Sequence, residues 1–421
     1  MRAANHSNRR AYLLLAACAI STSLAWMGSP RSDLAPAMIF LASGMLLPPV
    51  RMDPEARQSG AAWILLAIPM WGVLQLTLGW SAYSQATIRG ITYWTALAVA
   101  FAGAALAFQD RYARHLLLRV LGILASILAW MAILQPYVGR LGVGALTSAA
   151  PDAYAATFSN RNMYACFAEL ALPAVVWLGT RDAKTSWLWL CNAAAIAGSV
   201  LISGSRAGGV LILLESLILA GICLRGRQRL IPIAVGAIVA AAVALAATGE
   251  GGFTARLQYE DPLVLRRDIY RSGIEMISAH PLTGTGLGAF VAAYPAHAHF
   301  DNSRLVDLAH NDWLQIAAEC GVPIGMVWAG FTILLLARLR GQMWALGLPV
   351  VLAHALVDFP LHRIGVAAWW MVLAGAALSP RHGDGRRSDR GGRWSLAGIR
   401  LPSMRAGPKQ VPEPIAPSGR S

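Results

Sequence analysis

The fold is decided around the stretch Leu308-Ala-His-Asn-Asp-Trp-Leu-Gln-Ile-Ala-Ala-Glu-Cys-Gly321. This stretch closes the polar segment 249–312, which is the one long interruption of an otherwise apolar sequence, and it opens the next apolar run. A His-Asn pair at the mouth of a hydrophobic helix places a titratable, hydrogen-bonding group where water meets lipid. The sequence therefore predicts a membrane protein whose chemistry lies at the outer ends of its helices.

The composition agrees with a membrane protein. The chain has 421 residues, of which 56% are hydrophobic and 13% are charged, and its mean hydropathy is +0.51. Roughly a quarter of the residues are charged in an ordinary soluble domain. The apolar runs are about 17–22 residues long, enough to cross a bilayer as helices, and the alternating pattern of an outer-membrane barrel is absent. The predicted fold is an all-α polytopic membrane protein with about twelve transmembrane helices.

The predicted spans are read from the apolar runs of the sequence. They cover residues 11–28, 34–50, 61–80, 90–108, 115–136, 163–180, 185–203, 207–225, 230–248, 315–337, 342–359 and 363–378. The first span follows Arg9-Arg10 and resembles a secretory signal, but residues 25–30 lack a small-x-small cleavage site, so we interpret it as a retained anchor. Residues 1–248 then form helices 1–9, 249–312 a large loop, and 313–379 helices 10–12.

The orientation follows from the arginines and lysines of the short loops, which favour the cytoplasmic side. One set of connections and the C-terminal tail are rich in them, and the alternate set carries mostly single arginines. The rich set contains Arg2, Arg9, Arg10, Arg51, Arg57, Arg111, Arg114, Arg181, Lys184, Arg225, Arg227, Arg229, Arg338 and Arg340, and the poor set contains Arg31, Arg89, Arg140, Arg161 and Arg206. Both termini are therefore predicted to be cytoplasmic, and the 249–312 loop is predicted to face the periplasm.

The tail 380–421 is rich in glycine, proline, serine and arginine. This composition predicts a disordered, solvated extension, although its arginines also suit anionic lipid headgroups. The net charge of +14 is explained by the topology signal and this tail. Nucleic-acid binding is not needed to account for it.

The outer loop contains an amphipathic segment. From Leu263 to about Ser278 the apolar spacing predicts a helix that lies along the surface and ends at His280-Pro281. The triplet Gly284-x-Gly286-x-Gly288 then predicts a flexible turn. No strand precedes these glycines, so a dinucleotide-binding fold is not supported.

Two arginines are candidates for binding an anionic group. Arg206 lies between Gly204 and Gly208 at the outer junction of two spans, where it either extends to the interface as a snorkelling side chain or meets a ligand that the small neighbours allow to approach. The planar guanidinium suits a pair of phosphate oxygens. Arg206 together with Arg266 is therefore predicted to hold a diphosphate without a metal ion.

His310 has two interpretations, a helix cap and a general base that takes a proton from an attacking hydroxyl. His297 and His299 raise a metal site with His310 as an alternative. The five cysteines form no C-x-x-C pair, and the sequence has no Asp-x-Asp pair and no Walker lysine. No metal and no cofactor are therefore predicted.

His354 and Asp358 lie four residues apart on the penultimate predicted span. Ionisable groups are costly inside a membrane, so we expect the two side chains to pair inside the bundle. Their role is left open between structure and substrate binding.

Several motifs together resemble the O-antigen ligase/polymerase family. Their shared order and spacing make the resemblance specific, strongly over 200–325 and more weakly over most of the chain. The motifs are Ile202-Ser-Gly-Ser-Arg-Ala-Gly-Gly209, Arg266-x-x-x-Tyr270, His280-Pro-Leu-Thr-Gly-Thr-Gly-Leu-Gly288, Ala309-His-Asn-Asp-Trp-Leu-Gln-x-x-x-Glu-x-Gly321, Thr157-Phe-Ser-Asn-Arg-Asn162 and His354-x-x-x-Asp-Phe-Pro-Leu361. Tyr270 replaces the family's usual tryptophan, which leaves Arg266 and Arg267 as alternatives. The family's G-x-x-G is stretched here to Gly321-Val-Pro-Ile-Gly325, which is expected to alter the start of the helix.

The resemblance implies a GT-C-like glycosyltransferase of the bacterial inner membrane that works on the periplasmic side without ATP or metal. Its donor would be an undecaprenyl-diphosphate-linked glycan, and its acceptor a glycan or a lipid A-core-like molecule. The catalytic residues carried over are His310, Arg206 and Arg266. Candidate substrate contacts are Arg267, Asn311, Asn160, Asn162, His354 and Asp358.

Two other functions remain open on the sequence alone. A polymerase that adds repeat units would use the same donor and the same residues. A transporter or flippase would usually show two matching halves with broken helices. No such internal repeat is present in the sequence, and the single large outer loop argues against transport. The sequence does not name the acceptor, the sugar or the linkage.

Overall fold

A computed structural model describes residues 12–20, 61–138, 155–181, 183–225, 264–299, 305–339 and 341–379. These residues form helices and connecting turns, and no strand occurs among them. Residues 12–20 are helical. The longer helices that follow are α1 Ala61–Thr77, α2 Ser84–Ala107, α3 Arg111–Val138, α4 Arg161–Arg181, α5 Ser186–Ile202, α6 Arg206–Arg225, α7 Val264–Ala279, α8 Asp312–Arg338, α9 Gly347–His354 and α10 Ile364–Leu378.

The helices are those of a multi-pass membrane protein. Among the described residues, five helices are long and apolar enough to cross a bilayer, and they lie in α2, α3, α4, α6 and α8. Four shorter apolar helices, Ile64–Thr77, Ser186–Ile202, Met343–His354 and Ile364–Leu378, accompany them. The predicted spans 34–50 and 230–248, and half of 11–28, lie outside the described residues. The total of twelve spans and the GT-C-like arrangement remain predictions.

The predicted span 342–359 is wrong at its C-terminal end, over residues 355–359. A short 3-10 turn, Met343–Ala345, leads into α9, which ends at His354. The chain then turns, because Pro360 lacks an amide hydrogen and disfavours helical backbone at the residue before it. His354 and Asp358 therefore do not share one helix face, and Asp358 lies in the turn that follows α9.

The centre of the bundle is α10, whose residues Ile364–Ala377 are buried on all sides. A helix that is hydrophobic all round belongs in the interior. Trp369 and Trp370 are fully buried, and the latter ring lies 6.1 Å from that of Trp328. At Gly375 an added Cβ would lie 2.3 Å from the carbonyl oxygen of Phe101, so glycine allows α10 to cross α2 closely.

The glycine turn between α7 and α8 is tightly packed and hydrogen-bonded. Its composition had predicted a flexible turn. Gly284, Gly286 and Gly288 all have positive φ, at 68°, 113° and 77°. Gln75 of α1 donates to the carbonyl oxygens of Thr283 and Glu319, both at 2.7 Å. An added Cβ at Gly284 would lie 2.2 Å from the Glu319 carbonyl oxygen, so the turn fits only without side chains there.

Helix α8 starts at Asp312 and is kinked at Gly321, which has φ 80° and ψ 167°. The amide of Val322 donates to the carbonyl oxygen of Pro281 at 2.8 Å, because the glycine turn enters the helix at the kink. The sequence had suggested that the extra residue in Gly321–Gly325 would alter the start of the helix. It shapes the middle of the helix instead.

Helix α7, Val264–Ala279, matches the predicted amphipathic segment within a residue at each end. Its buried side chains Ile269 and Met276 form a small second core with Phe290 and Tyr294. At Gly273 the helix touches Leu314 of α8 so closely that an added Cβ would lie 2.8 Å from it. This packing fixes α7 against the N-terminal end of α8, where His310 precedes the helix.

Candidate functional site

The carboxylate of Asp358 joins residues from three other parts of the chain. Its side chain is only 1% exposed. The Asn162 side-chain amide donates to it at 2.5 Å, and the Arg266 guanidinium lies 3.5 Å away. The Nδ1 atom of His310 lies 3.6 Å from the other carboxylate oxygen. Motifs that are far apart in the sequence thus meet at one end of the helical bundle.

The neighbours of Asp358 keep its carboxylate ionised. Burial by itself would raise the pKa of this carboxyl, but contact with His310 and the charge of Arg266 outweigh burial, so the pKa lies below its ordinary value. The buried carboxylate is therefore a fixed negative charge beside the imidazole.

Arg266 grips the turn that carries Asp358. Its Nη1 donates to the carbonyl oxygen of Val357 at 2.5 Å, while Nη2 faces Asp358. The side chain remains 21% exposed. Arg267, the alternative from the sequence, has an exposed side chain. Of the two arginines, the structure places Arg266 in the cluster around Asp358.

His310 is held in an unusual backbone conformation. Its φ is 51°, in the left-handed region that residues other than glycine rarely adopt. The hydroxyl of Tyr270 donates to the His310 carbonyl oxygen at 2.9 Å, and the ring of Phe359 packs edge-on against the imidazole at 4.9 Å. The imidazole is 32% exposed, whereas its Nδ1 is buried and makes no hydrogen bond. Such a conformation persists only where its surroundings enforce it, typically at functional sites.

The cap of α8 is Asn311 and not His310. The Asn311 side-chain oxygen accepts hydrogen bonds from the amides of Trp313 and Leu314, both at 3.0 Å. Asn160 has a similar role at α4, where its side-chain oxygen accepts from the Asn162 amide at 2.8 Å. The side-chain oxygens of both predicted substrate contacts are thus engaged in capping.

Asn162 also connects the Asp358 cluster to the arginine motif of α6. Its side-chain oxygen accepts from the Ser205 hydroxyl at 2.8 Å, and the next residue, Arg206, begins α6. The Arg206 side chain is partly buried. Within the described part of the chain, its guanidinium makes no hydrogen bond or ion pair. Among the described residues, Arg206 is therefore a cation without a carboxylate partner, unlike Arg266.

A second buried pair, which the sequence reasoning missed, supports the same end of the bundle. Asp312 contacts His362 Nδ1 at 2.5 Å and accepts from the Leu361 amide at 2.8 Å. The Asp312 amide donates to the carbonyl oxygens of Ala355 and Asp358. His362 directly follows the motif that ends at Leu361. This position next to the motif was the one sequence signal that could have identified His362.

The expected side-chain pair between His354 and Asp358 does not form. His354 Nδ1 instead hydrogen-bonds the carboxylate of Glu169 on α4, at 2.9 and 3.0 Å from its two oxygens. Both of these side chains are fully buried. His354 thus lies inside the bundle.

The histidines of the loop do not converge on a metal site in the described residues. His299 Nε2 contacts the Glu275 carboxylate at 2.7 Å in an exposed position. Among the described residues, one group has metal-ligand spacing. It is buried and consists of Cys166, Glu169 and His354. All five cysteines are free.

Comparison with known proteins gives one match. A family model described as O-antigen ligase matches residues 191–329. This region contains Arg206, Arg266 and His310, and it ends before Asp358. A search of curated proteins found no match.

Proposed function

Since the chain carries a domain of the O-antigen ligase/polymerase family over residues 191–329, we propose that it is a glycosyltransferase of the ligase type. It acts at the periplasmic face of the bacterial inner membrane. It transfers a glycan from an undecaprenyl-diphosphate carrier to the hydroxyl of a glycan or lipid A-core-like acceptor. The observation that carries this proposal is the meeting of His310, Arg266 and Asn162 around the ionised Asp358.

His310 is the general base. Its Nδ1 faces the buried Asp358, so Nε2, on the opposite side of the ring, takes the proton of the acceptor hydroxyl. Asp358 orients the imidazole and stabilises the imidazolium that forms. The 3.6 Å separation is slightly longer than a hydrogen bond, and a small rotation of the ring closes it. Catalytic hydrogen bonds often shorten in this way when the reacting complex assembles.

The reaction is a single displacement. The deprotonated acceptor oxygen attacks the anomeric carbon, and the bond from that carbon to the diphosphate oxygen breaks. The bonding electrons leave with the lipid diphosphate, and the proton stays on His310. Attack opposite the leaving group inverts the configuration at the anomeric carbon.

The arginines stabilise the negative charge that grows on the diphosphate. A guanidinium has five N–H donors, and Arg266 directs donors to Val357 and Asp358 while part of its side chain stays exposed. Because Arg206 has no carboxylate partner in the described residues, it contributes the larger net attraction for the donor. Two arginines supply the positive charge, so the reaction proceeds without a metal ion.

A repeat-unit polymerase would use the same donor and site, and the family includes both activities. The experiment that separates them analyses lipid-linked glycans in a strain that lacks the gene. Full-length lipid-linked chains should accumulate while the finished surface glycan disappears. Accumulation of single repeat units would instead identify a polymerase, and normal glycans of both kinds would contradict either activity.

A further inference from the structure

We propose that Glu169 and His354 are a buried positioning pair, which holds the turn carrying Asp358 and so sets its distance from His310. The catalytic consequence of this pair rests on the function proposed above. The pair itself is outside the region matched by the family model, and neither side chain reaches the surface.

Helix α4 grips the 354–358 turn at two points. Asn162 and Glu169 are seven residues apart, about two helical turns, so they lie on the same face about 10 Å apart along the axis. Asn162 donates to the Asp358 carboxylate at 2.5 Å, and Glu169 accepts from His354 Nδ1 at 2.9 Å. The two ends of the turn are thus bound to one rigid helix.

The backbone of the turn transmits this hold to the site. The carbonyl oxygen of His354 accepts from the amides of Val357 and Asp358, at 3.0 and 3.1 Å. The carbonyl oxygen of Val357 in turn accepts a hydrogen bond from Arg266. A displacement of His354 would therefore move both the carboxylate beside His310 and the acceptor that holds Arg266.

The energetics favour a positioning role over simple stabilisation. Burying an acid and an imidazole inside a membrane bundle is costly even when they are paired, and apolar residues of similar volume often stabilise a protein as well or better. What a hydrogen-bonded pair adds is direction, because its geometry specifies where His354 must lie. That specification matters for the turn that ends in Asp358.

Two substitutions at one position test the direction of the hydrogen bond. In His354→Asn the amide nitrogen occupies the place of Nδ1 and still donates to Glu169, whereas in His354→Gln it lies near the place of Nε2. His354→Gln should lower kcat by about a hundredfold, the usual effect of misplacing a catalytic group by about 1 Å. Its KM for the donor should change little, because Arg206 lies outside the turn. His354→Asn should stay within a few-fold of the wild type.

Cys166→Ser is the matched control. Its sulfur lies within 4.8 Å of the ligand atoms of Glu169 and His354, but the positioning pair does not use it. Transfer by this variant should be close to normal. A loss as large as that of His354→Gln would overturn the proposal and indicate a metal site that uses the thiolate. Equal kcat in His354→Asn and His354→Gln would overturn it as well.

A second measurement does not depend on glycan transfer. Acylation of His310 by diethyl pyrocarbonate is followed by peptide mass spectrometry in the full-length, detergent-purified protein, with monodispersity and Tm checked for each variant. Release of the imidazole from Asp358 exposes Nδ1, which is buried in the wild type. His354→Gln should therefore be acylated faster than the wild type and His354→Asn. If the wild type transfers no glycan, the proposed function fails, yet this rate still tests the pair. Identical rates in all three folded proteins would contradict it.

Discussion

The imidazole of His310 and the carboxylate of Asp358 lie 3.6 Å apart, at the same end of the bundle as the glycine turn and the start of α8. They come from two segments that the sequence separates by the whole of α8 and α9. His310 is partly exposed and Asp358 is buried, so one member can meet a substrate while the other can only act through its neighbour. This arrangement suits His310 to act as the base and Asp358 to orient it.

Neutralising Asp358 should impair turnover while preserving the shape of the site. Asp358→Asn keeps hydrogen-bonding atoms near Asn162 and Arg266 but removes the charge that stabilises the imidazolium. We expect kcat to fall by roughly a hundredfold to ten-thousandfold, the range for loss of acid–base assistance. Steady-state transfer by the purified variant measures this, and a kcat near that of the wild type would remove Asp358 from the mechanism.

The same substitution predicts a pH dependence of stability. The pKa of Asp358 is lowered in the folded protein, so its charge stabilises the fold above the ordinary aspartate pKa of about 3.9. This contribution is lost as the pH falls through the lowered folded value. The Tm difference between the wild type and Asp358→Asn should therefore be constant near neutral pH and should shrink below about pH 4. A difference that grows on acidification would mean that the pKa is raised.

Arg206, Arg266 and Arg267 should respond differently to replacement by lysine. Arg206→Lys and Arg266→Lys retain the charge but lose the planar fork, so transfer should remain severely impaired in each. Arg206→Lys should chiefly raise KM for the donor, while Arg266→Lys should also lower kcat because it releases Val357 and Asp358. Arg267→Lys is the matched control and should be mild. Severe loss in Arg267→Lys with a mild effect in Arg266→Lys would reverse the assignment.

Chelation should leave the reaction intact. Purified protein that transfers a lipid-diphosphate glycan should stay active in EDTA, because the arginines carry the positive charge that faces the diphosphate. Initial rates with and without chelator give the comparison. Inactivation that zinc or magnesium reverses would instead require a metal site.

The orientation of the site can be tested with single cysteines. Leu305 precedes His310 in the chain and is 80% exposed. Lys184 is exposed in the connection between α4 and α5, at the end of α4 opposite to Asn162. After the exposed Cys191 is replaced, a cysteine in place of Leu305 should react with an impermeant thiol reagent added from the periplasmic side. A cysteine in place of Lys184 should not. The reverse pattern would place the site in the cytoplasm and contradict the proposed donor.

Most helices of the described region could be predicted because apolar periodicity and length determine them, and α7 was predicted within a residue at each end. Long-range polar contacts could not be predicted from such patterns. His354 and Asp358 were expected to pair because they are four residues apart, but Pro360 ends the helix and each side chain takes another partner. No sequence spacing indicates that Glu169 lies opposite His354, or that Tyr270 donates to the carbonyl oxygen of His310.

The candidate site was predicted as a set of residues, and the structure adds their relations. Arg266 and His310 both lie beside Asp358, which the sequence had offered as a partner for His354 and as a candidate substrate contact. Arg206 is joined to them through Ser205 and Asn162. The glycine turn was predicted to be flexible because glycine allows the backbone many conformations. In the structure, packing of the turn against Glu319 removes that freedom.

The central claim is that His310 is the base of a glycan transfer, and turnover of His310→Ala tests it most directly. One partly exposed imidazole contributes little to the stability of this bundle, so the variant should be expressed, inserted and monodisperse. Its kcat should nevertheless fall by roughly a hundredfold to ten-thousandfold, while His297→Ala and His299→Ala should retain far more activity. Transfer close to the wild-type rate by well-folded His310→Ala protein would contradict the account.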